Sequence, residues 1–339
     1  MLMIVAHHYV VNSGVLGMVE GFPLTGSFLL VFGMWGKTAI NCFLMITGYF
    51  MCLKQISLRK FLKLLLEYMF YKIVIYLLFL MTGRETLSSS RILETLMPVW
   101  NFKDNFTSCF LAFYLFIPFI NIMVRNMKKR EHRYLLLLFF TCYSVLGTIP
   151  GFEVRFNYIS WFAVIYLMAA YVRMYPAPYF NKAHLWGKIT LLFAIGAMLS
   201  VFVMNGLGKI SYYFVFDANK PYPVILAFSS FLWFKNMQVT YSNWVNRIGA
   251  STFGILLIHA NSDAMRQWLW YDLADVSGHV SMPLFHFAAY SLAIVLMVFF
   301  SCSFLDRMRL RLIETPIFNW YEKKFNRNES FVTRLKGFE

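Results

Sequence analysis

Two adjacent histidines, His7 and His8, stand in the apolar run Met1-Leu-Met-Ile-Val-Ala-His-His-Tyr-Val. An ionisable ring in so apolar a segment is costly, and where one persists it is a functional candidate by default. Successive helical residues point about 100° apart, so one of the pair faces a given cavity and the other turns elsewhere. The alternative is a histidine that only hydrogen-bonds across helices.

Three other segments carry polar groups on apolar helices. The run from Ala39 to Phe50 ends in Thr47-Gly48-Tyr49, where Gly48 would admit a neighbouring helix and Thr47 and Tyr49 would offer hydroxyls to a cavity. Arg59-Lys60-Phe61-Leu62-Lys63 places Lys60 and Lys63 on one helix face, fit to hold an anionic phosphate or simply to anchor the helix at a membrane surface. Glu67, one turn beyond Lys63, reads as that lysine's ion-pair partner. A late run from Ser251 to Arg266 carries His259 near its polar end, placed to meet substrate or to cap a helix. Gly36-Lys37-Thr38 looks like the end of a phosphate loop, but Val31 stands where the first glycine is required and no strand precedes it. The five cysteines are scattered with no C-x-x-C spacing, which indicates neither a disulfide framework nor a metal site.

The elements that must position these residues are membrane helices. Apolar residues make up 59% of the chain and charged residues 14%, against about 25% charged in soluble domains. Apolar spans fall at 1–12, 36–53, 61–82, 106–124, 134–149, 157–175, 187–206, 221–236, 248–269 and 283–305. At about 20 residues each, about ten spans leave only short loops, so any chemistry takes place within the bundle or at its mouths. The sequence therefore predicts an all-α polytopic transmembrane bundle over residues 1–315, followed by a cytoplasmic, amphipathic tail over 316–339. The first span reads as truncated: Met1 to Val11 reaches about 16 Å across a hydrocarbon core of about 30 Å. Residues upstream of Met1 are expected, with a re-entrant segment as the alternative.

Net charge of +15 would suit nucleic acid, but its distribution reads as topology. Most of the 31 basic residues lie in one alternate set of loops, including 125–133, 173–188 and the C-terminal tail. The positive-inside rule then puts both chain ends in the cytoplasm of a plasma-membrane protein, with the loops at 84–104 and 266–279 outside.

In this order, the segments resemble the acyltransferase 3 family of integral membrane O-acyltransferases, whose members acetylate capsular, O-antigen or peptidoglycan sugars. His8 matches the family's histidine in the first helix. Thr47-Gly48-Tyr49 stands for its S-G-Y turn, Lys60-x-x-Lys63 for its basic pair, and Leu256-Leu257-Ile258-His259 for its late Y-L-I-H-like element. Phe110 to Asn121 and Trp161 to Leu167 also look like family segments. The resemblance implies transfer of an acyl group, acetyl first among them, from acyl-CoA to a hydroxyl of a cell-envelope or capsular sugar. It implies acetyl-CoA as donor substrate, with no bound cofactor and no metal. His8 would be the catalytic base or would itself carry the acyl group, Lys60 and Lys63 would bind the donor, and Thr47, Tyr49 and His259 the acceptor. Trp35, Trp100, Trp268 and Trp270 are candidates to stack on sugar rings. The other readings are a transporter or flippase for a sugar-linked lipid, or a catalytically inactive relative.

Overall fold

The computed structural model describes residues 1–98, 106–152 and 154–325, and these are helical with no strand among them. The described residues include fifteen α-helices: α1 Leu2–Val11, α2 Pro23–Gly33, α3 Gly36–Met51, α4 Leu58–Met81, α5 Ser89–Leu96, α6 Phe106–Asn126, α7 Lys129–Phe139, α8 Tyr158–Met174, α9 Ala183–Gly206, α10 Pro221–Lys235, α11 Asn243–Ala250, α12 Thr252–His259, α13 Asp263–Gln267, α14 Leu284–Arg309 and α15 Thr315–Phe325. Trp100, part of the 84–104 loop and the tail beyond Phe325 lie outside the described residues.

Several starts follow from side-chain caps. Ser57, Ser88, Asn157, Ser242 and Ser262 each accept from the backbone N–H three residues on, satisfying a donor that the first helical turn leaves unpaired.

Each of the ten apolar segments contains helix, but their lengths differ. Among the described residues, five stretches are long and apolar enough to cross a membrane: Pro23–Met51, Leu58–Met81, Phe106–Asn126, Ala183–Gly206 and Leu284–Trp320. A sixth is counted if Leu2–Val11 and Val15–Gly21, bent by 69°, form one span. The segment at 248–269 is divided among α11, α12 and α13 instead of forming one helix. The second span begins at Pro23, upstream of the position expected at 36.

The chain divides into two compact units, each discontinuous in sequence. The first comprises Met1–Gly26, Gln55–Phe102 and Tyr241–Glu339; the second comprises Ser27–Lys54 and Lys103–Thr240. In the first, α12 packs on α14 and α4, and α1 packs on α14. Every residue of α12 from Phe253 to His259 is buried, as a helix apolar all round requires. In the second, α3 lies between α8 and α10, and α8 also meets α6. A Cβ on Gly48 would stand 2.9 Å from the Ala169 Cβ and 2.9 Å from the Tyr166 carbonyl oxygen. Glycine there is what lets α3 and α8 approach.

Candidate active site

His8 and His259, 251 residues apart in sequence, meet in the first unit: His8 Nδ1 lies 3.0 Å from His259 Nε2. Three contacts hold α1 so that His8 reaches its partner. The Tyr9 hydroxyl is 2.8 Å from Ser291 Oγ on α14. The Tyr9 ring meets Trp270 edge-on with centroids 5.8 Å apart, and Ser13 Oγ donates to the Tyr9 carbonyl at 2.6 Å. Tyr9 and Val10 are fully buried beside a His8 that is only half-buried.

The partners fix which nitrogens carry protons. His259 Nδ1 faces the carbonyl oxygen of Ile255 one turn earlier. A carbonyl only accepts, so Nδ1 is the protonated nitrogen, and Nε2 of the neutral ring holds the lone pair. His8 must therefore donate from Nδ1 to His259 Nε2. The basic nitrogen of His8 is then Nε2, and His259 holds it in that tautomer. His7 lies beside the pair, its ring centroid 5.8 Å from that of His8.

A second polar cluster, built by α4, α14 and the turn after α14, was not anticipated from the sequence. The Arg309 side chain is 5% exposed and meets Glu67 at 3.3 Å, Asp306 at 2.9 Å and Glu314 at 2.7 Å. The Tyr71 hydroxyl donates to Asp306 Oδ1 at 2.9 Å. Gly254 of α12 sits directly against Asp306, for a Cβ there would fall 2.3 Å from the carboxyl carbon. Glu67, expected to pair with Lys63, thus pairs with Arg309. Lys63 pairs with Glu314 at 3.3 Å and lies over the Phe318 ring at 4.7 Å, which Arg59 also approaches. Lys60, on the first turn of α4, is exposed.

Thr47 and Tyr49 belong to the second unit. Thr47 donates to the Phe43 carbonyl at 3.0 Å, and the Tyr49 hydroxyl accepts from Arg173 at 3.0 Å with the guanidinium over its ring. That unit also carries an open apolar cleft of about 750 Å³, lined among others by Ile149, Met204, Lys209, Tyr213 and Pro221. Of the tryptophans considered for sugar stacking, Trp270 is fully buried against Tyr9 and serves as core, while Trp268 meets Phe79 edge-on. Among the described residues, no group of three or more His, Cys, Asp or Glu side chains is placed to hold a metal ion.

Long apolar helices, with a histidine pair joining α1 to α12 among them, define an all-α membrane protein. The family comparison supplies the reaction. Residues 1–305 match the acyltransferase domain of the acyltransferase 3 family, and the chain belongs to that family of membrane acyltransferases. No curated protein and no solved structure matches it.

Proposed function

We propose that this acyltransferase moves an acetyl group from acetyl-CoA to a hydroxyl of a cell-envelope or capsular sugar, with His8 Nε2 as the base. The observation that carries the reading is the contact between His8 Nδ1 and His259 Nε2. It leaves His8 with its basic nitrogen on the far side of the ring, and it gives the imidazolium formed in the reaction a partner for its other N–H. In the proposed step, Nε2 takes the hydroxyl proton as the sugar oxygen attacks the thioester carbonyl. The tetrahedral intermediate collapses, the C–S bond breaks, and the departing CoA sulfur recovers the proton from His8. His259 acts as the residue that positions His8. Exposed Lys60 and half-exposed Lys63 are the groups proposed to receive CoA phosphates, since ammonium groups bind phosphate as point charges.

The test compares His8→Ala with His7→Ala in protein reconstituted in lipid, supplied with acetyl-CoA and an envelope polysaccharide fraction. Loss of a general base typically costs a factor of about 10² to 10⁴, and that is the fall expected for His8→Ala. His7→Ala should stay within a few-fold of wild type. Near-normal transfer by an inserted His8→Ala protein would end the assignment.

A further inference from the structure

Lys72 is the basic residue that the sequence places deep within the long apolar helix α4. Its Nζ donates to the carbonyl of Asn261 at 2.8 Å. Asn261 stands just past the end of α12, where a helix leaves its last carbonyls without intrahelical partners. Inside a membrane protein, water is not at hand to satisfy them. In α12 the closure is made by two residues. The Ala260 N–H donates to Leu256, while Asn261 donates its Nδ2 to Leu257 at 2.9 Å and its backbone N–H to Ile258 at 3.4 Å. One residue earlier in the same helix, Ile255 receives the Nδ1 proton of His259. The bonds that close α12 and the bond that orients the His259 ring fall on successive carbonyls of one helical turn, Ile255 to Ile258, and Lys72 ties to α4 the residue that makes two of them.

Resting on the reading of His8 as the base, we propose that Lys72 is a positioning residue for the reaction. Through Asn261 it holds the end of α12 closed, so that His259 keeps its Nε2 toward His8 and His8 keeps its basic nitrogen at Nε2. An ammonium group suits the place: it supplies donors to a carbonyl at a helix C-terminus, where the partial charge is negative. Methionine would fill similar space and make no such bond. Without it, the Asn261 carbonyl loses its partner, the cap on Leu257 loosens, and the His259 ring loses its fixed orientation. The ring nitrogens of His8 then lose their preference for protonation at Nδ1. Arginine, longer but still a donor, would keep the link.

Protein labelled with ¹⁵N-histidine and reconstituted in bilayers of phosphatidylethanolamine and phosphatidylglycerol provides the test. Solid-state NMR reads which nitrogen of each ring is protonated, and single histidine substitutions assign the signals. In the wild-type protein His8 and His259 should both be protonated at Nδ1. Lys72→Met should convert His8 to a mixture of tautomers and lower kcat at least about tenfold, the scale expected when a base is misoriented, while KM for acetyl-CoA stays unchanged. Lys72→Arg should preserve both the tautomer and most of the rate. Asn261→Ala, which leaves Lys72 in place, should reproduce the tautomer change and serves also if Lys72→Met does not fold. Unchanged tautomers in a folded Lys72→Met protein, or in Asn261→Ala if Lys72→Met does not fold, would overturn the proposal. Full transfer by His8→Ala would instead remove the base assignment and leave the link from Lys72 to His259 standing on the spectra.

Discussion

Replacing Arg309 by methionine should be among the most damaging single changes away from the histidine pair. Its guanidinium is shared by three carboxylates, at 3.3 Å to Glu67, 2.9 Å to Asp306 and 2.7 Å to Glu314. Lys63 stays near Glu314, so Asp306 and Glu67 lose most. Methionine approximates the volume, which keeps any cavity contribution small and isolates the electrostatic effect. Removing one partner of a buried ion pair costs about 3–5 kcal/mol, because the charge left behind is neither solvated nor paired. That range is the expected loss of stability. Adding Glu67→Gln to Arg309→Met removes one stranded charge and should return about 1–3 kcal/mol, the worth of a charged group's hydrogen bonds. The assay is equilibrium unfolding of the full chain in mild detergent, followed by tryptophan fluorescence. A loss below about 1 kcal/mol would show that the cluster is hydrated and screened like a surface network. A double variant no more stable than Arg309→Met would show that Glu67 does not depend on that cation.

Gly48→Ala should destabilise the protein by about 1 kcal/mol, since overpacking costs about 1–3 kcal/mol and the better helix propensity of alanine returns about 1. Gly206→Ala, at a helix end with nothing within 4 Å of a new Cβ, should be neutral or stabilising in the same melt, and equal effects at the two sites would contradict the close approach of α3 and α8. Lys60→Ala should raise KM for acetyl-CoA several-fold and leave kcat alone; an unchanged KM would remove Lys60 from the donor site.

Hydropathy located the helical segments because burial in lipid demands long apolar runs, and each such run does contain helix. It could not see the breaks around α12. Ser251 and Asn261 interrupt a stretch that stays apolar on average, and the closing bonds to Leu257 and Ile258 depend on tertiary placement. The start at Pro23 carries a local signal, proline being at home in the first turn of a helix. Among the candidate site residues, His8 stands out in the sequence by its cost in an apolar segment. That His259 is its hydrogen-bond partner does not, because nothing local relates residues so far apart. Glu67 shows the same limit: i,i+4 spacing offered Lys63, whereas the fold brought Arg309 from α14. The i,i+3 spacing of Asp306 and Arg309 on an apolar helix is the local hint of a buried pair.

The way the two units share the chain also sets an order of assembly. The unit built from Ser27–Lys54 and Lys103–Thr240 has all its segments once residue 240 has been synthesised, whereas the other still awaits everything from Tyr241 onward. His8 emerges with the first helix and His259 with the twelfth. At translation rates of about 5–20 residues per second, the first histidine waits roughly 10–50 s for its partner. Through that interval α1 must be held in the membrane without α14, its packing neighbour, so the nascent chain depends on the insertion machinery or on lipid to shelter a polar ring. A ribosome that stops between Thr240 and α12 releases a protein with one unit complete in sequence and no histidine pair, for the contact of His8 with His259 is among the last that the growing chain can make.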